Sequence, residues 1–199
     1  MRIKGLFVAF AAVFAMSSSA VPASQNTPSM VVGNVTSQPI GHYDFCQRYR
    51  NECGPIRDLK PVDINSDVWA LVTKVNLSVN RMITPATDME VYGVEEYWAY
   101  PTTAGDCEDF ALLKRRILIQ RGISPSNLLM TVVRKPDGEG HAVLTLRTSQ
   151  GDYILDNLED QVKLWTDTPY SYIKRQASNN AGRWVTIENG RDVLVGALK

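Results

Sequence analysis

The chain has 199 residues, 44% of them apolar and 21% charged, with 21 basic and 21 acidic side chains and three cysteines. That is the composition of one soluble globular domain. A formal charge of zero gives no electrostatic reason to propose nucleic acid or an acidic membrane surface as partner, and three cysteines are too few for a disulfide scaffold while leaving one sulfur over.

Residues 1–23 read as a secretory signal peptide. Arg2 and Lys4 precede an apolar run from Leu6 to Met16, and Ser17, Ser18, Ser19 and Ala20 follow it, in the basic, apolar, small order of an export signal. The run of eleven residues is about half of the ~20 that a membrane-spanning helix needs. Cleavage after Ala20 or Ala23 is therefore expected, with an uncleaved anchor as the alternative. Cleavage leaves 19 basic against 21 acidic groups, a net charge of −2, on a protein that is periplasmic or secreted, where disulfides persist.

Residues 24–40 are rich in Ser, Thr, Asn, Gln and Pro without a sustained period and read as a flexible lead-in. The packed domain is then expected over 41–199. Cys46 and Cys53 close a loop of about eight residues, which stabilises a fold by ~2.5 kcal/mol when oxidised; two free thiols are the other reading. Val68, Leu71, Val72, Val75, Val79 and Met82 recur at three- and four-residue spacing and predict a helix over 67–83 started by Asn65 or Ser66. A polar and aromatic loop, 84–103, follows. Phe110, Leu113, Ile117 and Leu118 predict a second helix over 105–122, stopped by Gly122, with Cys107 in its first turn.

From Leu128 the pattern turns to β. Leu128–Val133, His141–Arg147 and Tyr153–Leu155 are short branched runs separated by turn-forming residues, an antiparallel meander to which Trp184–Ile187 adds a strand. Helices followed by strands predict an α+β fold.

The short spacing of Cys46 and Cys53 makes them natural partners and leaves Cys107 unpaired. A helix N-terminus stabilises a thiolate and offers amides to an oxyanion; a buried structural cysteine is the alternative. Of the two histidines, His42 reads as a surface residue, whereas His141 follows a glycine-containing turn and opens a strand. With Ser149-Gln150 as a two-residue hairpin loop, opposed residue numbers sum to 299. Asp156 then stands opposite Val143 and diagonal to His141, within side-chain reach, as an orienter of the imidazole or as a turn-capping carboxylate. Asn157 points to the other face. Asp106, Glu108 and Asp109 surround Cys107 and should raise its pKa. They suit the first turn of a helix, or they bind a divalent cation such as Ca²⁺. Trp69 is a candidate second oxyanion donor, with core packing as the alternative.

Three segments together carry a resemblance. Tyr97-Trp98-Ala99-Tyr100-Pro101 through Gly105-Asp106-Cys107-Glu108-Asp109-Phe110-Ala111-Leu112-Leu113-Lys114-Arg115, then Gly138-Glu139-Gly140-His141-Ala142-Val143-Leu144, then Gly151-Asp152-Tyr153-Ile154-Leu155-Asp156-Asn157-Leu158 resemble the bacterial transglutaminase-like cysteine proteinases, from about Asp63 to Trp184. The resemblance implies a papain-like, transglutaminase-like α+β fold with the nucleophile at a helix N-terminus packed on an antiparallel sheet. It implies a Cys107, His141, Asp156 triad, calcium held by Asp106, Glu108 and Asp109, a large surface adhesin as substrate and an inner-membrane cyclic-di-GMP receptor as partner. The Cys46/Cys53 pair and the Arg175-Gln176 neighbourhood look more like shorter members of that family. The expected function is an exported, calcium-dependent cysteine peptidase. Transglutaminase-type acyl transfer to an amine, or a non-enzymatic periplasmic binding module, are the alternatives.

Overall fold

Alternation of branched apolar residues over residues 128–155 sets the sheet on which the molecule is built. The computed structural model describes Met1 and residues 28–190, so the expected signal segment 1–23 lies almost wholly outside the described residues. Strands β4 (Leu128–Arg134), β5 (Gly140–Thr148) and β6 (Gly151–Leu155) form the expected meander. The β5–β6 register pairs Leu144 with Leu155 and Thr148 with Gly151, the pairing that a Ser149-Gln150 loop dictates. Gly151 has φ of +129°, and a Cβ there would lie 2.4 Å from the Pro28 carbonyl oxygen; only glycine fits.

The C-terminal part adds more strand than expected. β7 (Lys163–Leu164), β8 (Ser171–Ala177) and β9 (Asn180–Ile187) complete, with β1 (Val32–Thr36), a seven-stranded antiparallel sheet in the order β1-β9-β8-β4-β5-β6-β7, while β2 (Thr84–Pro85) and β3 (Ala104–Gly105) form a separate parallel pair. Even-numbered Leu128, Met130, Leu144 and Leu146 belong to one apolar cluster and odd-numbered Val133 and Val143 to another, as strand alternation requires. The first cluster also takes Val72, Val75 and Val79 of α2 (Ser66–Met82) and Phe110, Ala111 and Leu118 of α4 (Cys107–Gln120). These two helices therefore cover one face. The second face is closed by Met30, Trp165, Tyr170 and Tyr172. Asn65 caps α2, its side chain accepting from Val68 N–H at 2.9 Å. Helix α4 gives way to Gly122 at φ of +95°.

Two expectations are corrected. Residues 32–36, expected within a flexible lead-in, are an edge strand: Val32 pairs with Ile187 and Thr36 with Trp184. Nearby, buried Met30 donates its N–H to Asp152 at 2.8 Å. The strand has no readable period because most of it is exposed on both faces and its partner lies about 150 residues away. Helix α1 (Ile40–Arg48) follows it directly, and Cys46 and Cys53 are joined, with Cα atoms 5.5 Å apart.

His42, read as a surface residue, is 1% exposed. Its ring lies among Phe45, Trp98 and Trp184, and Trp184 Nε1–H donates to Nδ1 at 3.1 Å. Residues 56 and 142 positions away build this cage, and α1 alone gives no sign of it. Burial first, then the positive charge of Arg115, lower the His42 pKa from 6.5 to about 3. The folded protein thus refuses a proton that the unfolded chain accepts below about pH 6.5. This contribution to stability is complete above that pH and drains as pH falls toward 3, by about 1.4 kcal/mol per unit. The difference in stability between wild type and His42→Gln, read by urea unfolding between pH 6.5 and 4, should carry that slope, because the other titrating groups cancel in the difference; a pH-independent difference would exclude His42 as its source.

Candidate active site

Asp106 is the N-cap of α4 and makes Cys107 the first helical residue, where backbone N–H groups lack intrahelical acceptors. Cys107 is the free cysteine among the described residues and is partly exposed. The Ala142 N–H of β5 donates to its Sγ at 3.4 Å, and the thiol donates to Glu108 Oε2 at 3.0 Å. Burial, and then the Glu108 carboxylate, push the thiol well above its ordinary pKa.

His141 sits one position beyond the start of β5, and Asp156 directly follows β6. The register brings them together: His141 Nε2 donates to Asp156 Oδ1 at 2.8 Å. A carboxylate only accepts, so this assigns the proton to Nε2 and leaves Nδ1 as the acceptor nitrogen. Two further donors fill the carboxylate. Leu158 N–H reaches Oδ1 at 3.0 Å and the Tyr170 hydroxyl reaches Oδ2 at 2.5 Å, while the Tyr170 ring lies 5.5 Å from that of His141. Burial raises the Asp156 pKa, but His141, Tyr170 and Leu158 outweigh it and hold the carboxyl below the usual range. Cys107, His141 and Ala142 line a cleft of about 340 Å³ together with Glu96, Trp98 and Lys174.

The acids around Cys107 divide into two roles. Ligand oxygens of Asp88, Asp106 and Glu108 all lie within 4.8 Å of one another. Asp88 Oδ1, Asp106 Oδ1 and Asp109 Oδ2 are buried without hydrogen-bond partners. Burial and mutual repulsion push the Asp106 and Glu108 carboxyls upward. This trio can hold a hard cation. Asp109, expected in that set, is turned elsewhere: its Oδ1 accepts the Ala99 N–H at 2.7 Å, and its carboxylate fills the space where a Cβ on Gly105 would stand, 2.5 Å from Oδ2. Burial lifts its pKa to about 8. The third acid of the cluster is Asp88, in the first turn of α3 (Asp88–Tyr92).

Sequence reading put α3 within a loop, although Thr87-Asp88-Met89-Glu90 carries a capping box, and both of its hydrogen bonds are present. Tyr170 gave no signal, because its role depends on β8 returning beside β4. Trp69, a candidate oxyanion donor, packs edge-on against Tyr153 at 5.2 Å and is not part of the cleft lining.

The sequence matches the family model of the bacterial transglutaminase-like cysteine proteinases (BTLCP) over residues 32–192. The chain belongs to this family. The match takes in β1 and β9, beyond the stretch that carried the resemblance. Three solved structures of Legionella pneumophila LapG are similar. The calcium-bound form aligns at 25% identity and a TM-score of 0.52, covering 62% of this chain and 73% of LapG. A second LapG structure aligns at 26% and 0.51, covering 59% and 67%, and an EGTA-treated one at 27% and 0.51, covering 61% and 68%. No curated protein sequence matches the chain. The transglutaminase-like cysteine proteinase fold, with its helices on an antiparallel sheet, is thus the architecture of this chain, and the enzyme class is that of a cysteine endopeptidase.

Tyr170→Phe removes one charge-assisted hydrogen bond from Asp156 and should cost about 1–3 kcal/mol at pH 7. Because the folded Asp156 pKa is depressed, its stabilisation exists above about pH 4 and is lost as pH falls through the folded value. The deficit of the variant should therefore shrink in acid. Urea titrations at pH 7 and pH 3 measure it, and a pH-independent deficit would count against the hydrogen bond as its cause.

Proposed function

We propose that the chain is an exported cysteine endopeptidase that hydrolyses a peptide bond in a protein substrate through Cys107, His141 and Asp156, with calcium held beside the nucleophile. One observation carries the reading: a free thiol at a helix N-terminus shares a cleft with a histidine whose far nitrogen is fixed by a fully hydrogen-bonded carboxylate. His141 Nδ1 takes the Cys107 proton, and the thiolate attacks the substrate carbonyl carbon. The Cys107 backbone N–H stabilises the resulting oxyanion. The imidazolium returns its proton to the leaving amine, and His141 then activates the water that hydrolyses the thioester. Asp156 stays ionised and holds the ring.

Calcium suits the Asp88, Asp106 and Glu108 trio on chemistry alone: three hard oxygen donors, two buried oxygens without partners, and carboxyls raised by burial and then by repulsion within the cluster. Bound there, it would neutralise the negative charge that holds the Cys107 thiol up. The calcium-bound and EGTA-treated states of LapG support the same choice of ion. The family resemblance further proposes a large surface adhesin as substrate and an inner-membrane cyclic-di-GMP receptor as partner, and the basic-apolar-small order of residues 1–23 supports export to the periplasm.

Cys107→Ala should abolish cleavage of protein substrates while leaving the unfolding transition in place; cleavage by the purified variant would overturn the assignment. Mass spectrometry on the products distinguishes hydrolysis from amine incorporation. In calorimetry, Asp88→Asn should weaken Ca²⁺ binding by about tenfold or more, since it removes one charged ligand of three. Asp109→Asn should have the smaller effect. The reverse order would return Asp109 to the site in place of Asp88.

A further inference from the structure

The proposed active-site cleft is electrically polarised. Glu96 stands near its acidic end: its charge acts on Asp106 and Glu108, and its Oε1 accepts the Trp98 Nε1–H at 2.7 Å. Lys174 occupies a different part of the lining. Strand register fixes the path between Lys174 and the nucleophile. Ala142, whose N–H contacts the Cys107 sulfur, pairs with Val132 across β5 and β4, and Val132 pairs with Lys174 across β4 and β8. Directly paired residues share a sheet face, and all three line the cleft. A row Ala142–Val132–Lys174 therefore crosses the cleft at right angles to the strands.

Lys174 Nζ donates to the Ser37 carbonyl oxygen at 2.8 Å, which steadies the ammonium and leaves two of its three N–H donors for other acceptors. Among the described residues no carboxylate pairs with it; burial alone acts on its titration, in the downward direction. A steadied cation without a counter-charge in a substrate cleft is a site for an anion. Two strand spacings put the Lys174 backbone about 10 Å from that of Ala142, and an extended peptide rises about 3.3 Å per residue. The anion thus lies about three residues along the substrate from the reacting carbonyl.

We propose that Lys174 is a specificity residue, recognising an Asp or Glu side chain about three residues from the bond that Cys107 attacks. This rests on the peptidase reading and deepens it by naming a substrate feature.

The test uses the full chain and a mixed peptide library whose cleavage products are read by mass spectrometry. The wild type should enrich Asp and Glu at one position about three residues from the cut. Lys174→Gln should erase that enrichment, and Lys174→Glu should replace it with Lys and Arg. The change in kcat/KM between matched acidic and neutral peptides should be about three- to tenfold, shrinking at high salt. A wild type without acidic preference, or a preference that survives Lys174→Glu, overturns the proposal.

Fluorescence anisotropy with the Cys107→Ala protein and acidic, neutral and basic versions of one peptide separates this idea from the reading beneath it. Tighter binding of the acidic peptide that vanishes with Lys174→Glu supports the site even where no peptide is cut, in which case the peptidase reading alone fails. Equal binding of the three peptides overturns the site.

Discussion

Four carboxylates, three buried and one half-buried, gathered at one thiol are the constraint on which the rest of this structure depends. Asp88, Asp106, Glu108 and Asp109 crowd the first turn of α4, and burial pushes each of them above its ordinary carboxyl range. An arrangement of this kind is unfavourable unless each charge is hydrogen-bonded, protonated or matched by a cation. Backbone amides answer for two of the acids: Tyr97 N–H donates to Asp88 and Ala99 N–H to Asp109. Oxygens of Asp88, Asp106 and Glu108 converge within 4.8 Å of one another, and their convergence is the strongest physical reason for the proposed cation. The fold thus accepts local electrostatic strain next to the nucleophile and answers part of it from one strap of chain, residues 97–100.

That strap is held from behind by α1 and the turn after it. Arg48 donates to the Trp98 carbonyl oxygen at 2.5 Å and lies 4.0 Å over the Tyr97 ring. Glu52 accepts the Tyr100 hydroxyl and pairs with Arg115 of α4 at 3.7 Å. Cys46 and Cys53 close the loop that contains Arg48 and Glu52, so the disulfide restrains the segment that clamps the strap. His42, on the same helix, meets Trp98 from the other side. The covalent loop and the acidic site are in this way parts of one chain of contacts, although nothing in the spacing of the cysteines announces it.

Legibility followed the range of the interactions. Where neighbours in sequence decide the outcome, the residues were readable: the Asn65 cap, the apolar stripe of α2, the turn that begins at Cys107, and the hairpin whose two-residue loop fixes Asp156 diagonal to His141. The misses are long-range. β1 is an edge strand whose pairing with β9 supplies its order, His42 is caged by residues brought from 98 and 184, and Tyr170 reaches Asp156 only because β8 returns beside β4. The orientation of Asp109 is not legible for a different reason. Three acids in one helical turn cannot all face one point, and sequence adjacency does not say which of them turns away. Asp88 was within reach of local reasoning through its capping box, but its proximity to Asp106 was not.

The two halves of the proposed triad ride on different elements, and their alignment depends on how α2 meets α4. Cys107 is presented by α4. Asp156 belongs to a loop that α2 grips: Asn76 Nδ2 donates to the Glu159 and Asp160 carbonyl oxygens at 2.9 and 3.0 Å, and Asn80 Nδ2 to the Asp156 carbonyl at 3.0 Å. Between these elements lies Lys114 of α4, fully buried with no hydrogen bond to Nζ, its pKa lowered to about 7 by burial against the pull of Asp156 and Asp160. The buried amide oxygens of Asn76, Asn80 and Asn157 also lack partners. The directional contacts of Asn76 and Asn80 tie the loop that carries Asp156 to α2, and the apolar packing of α2 with α4 carries that placement to the helix that presents Cys107.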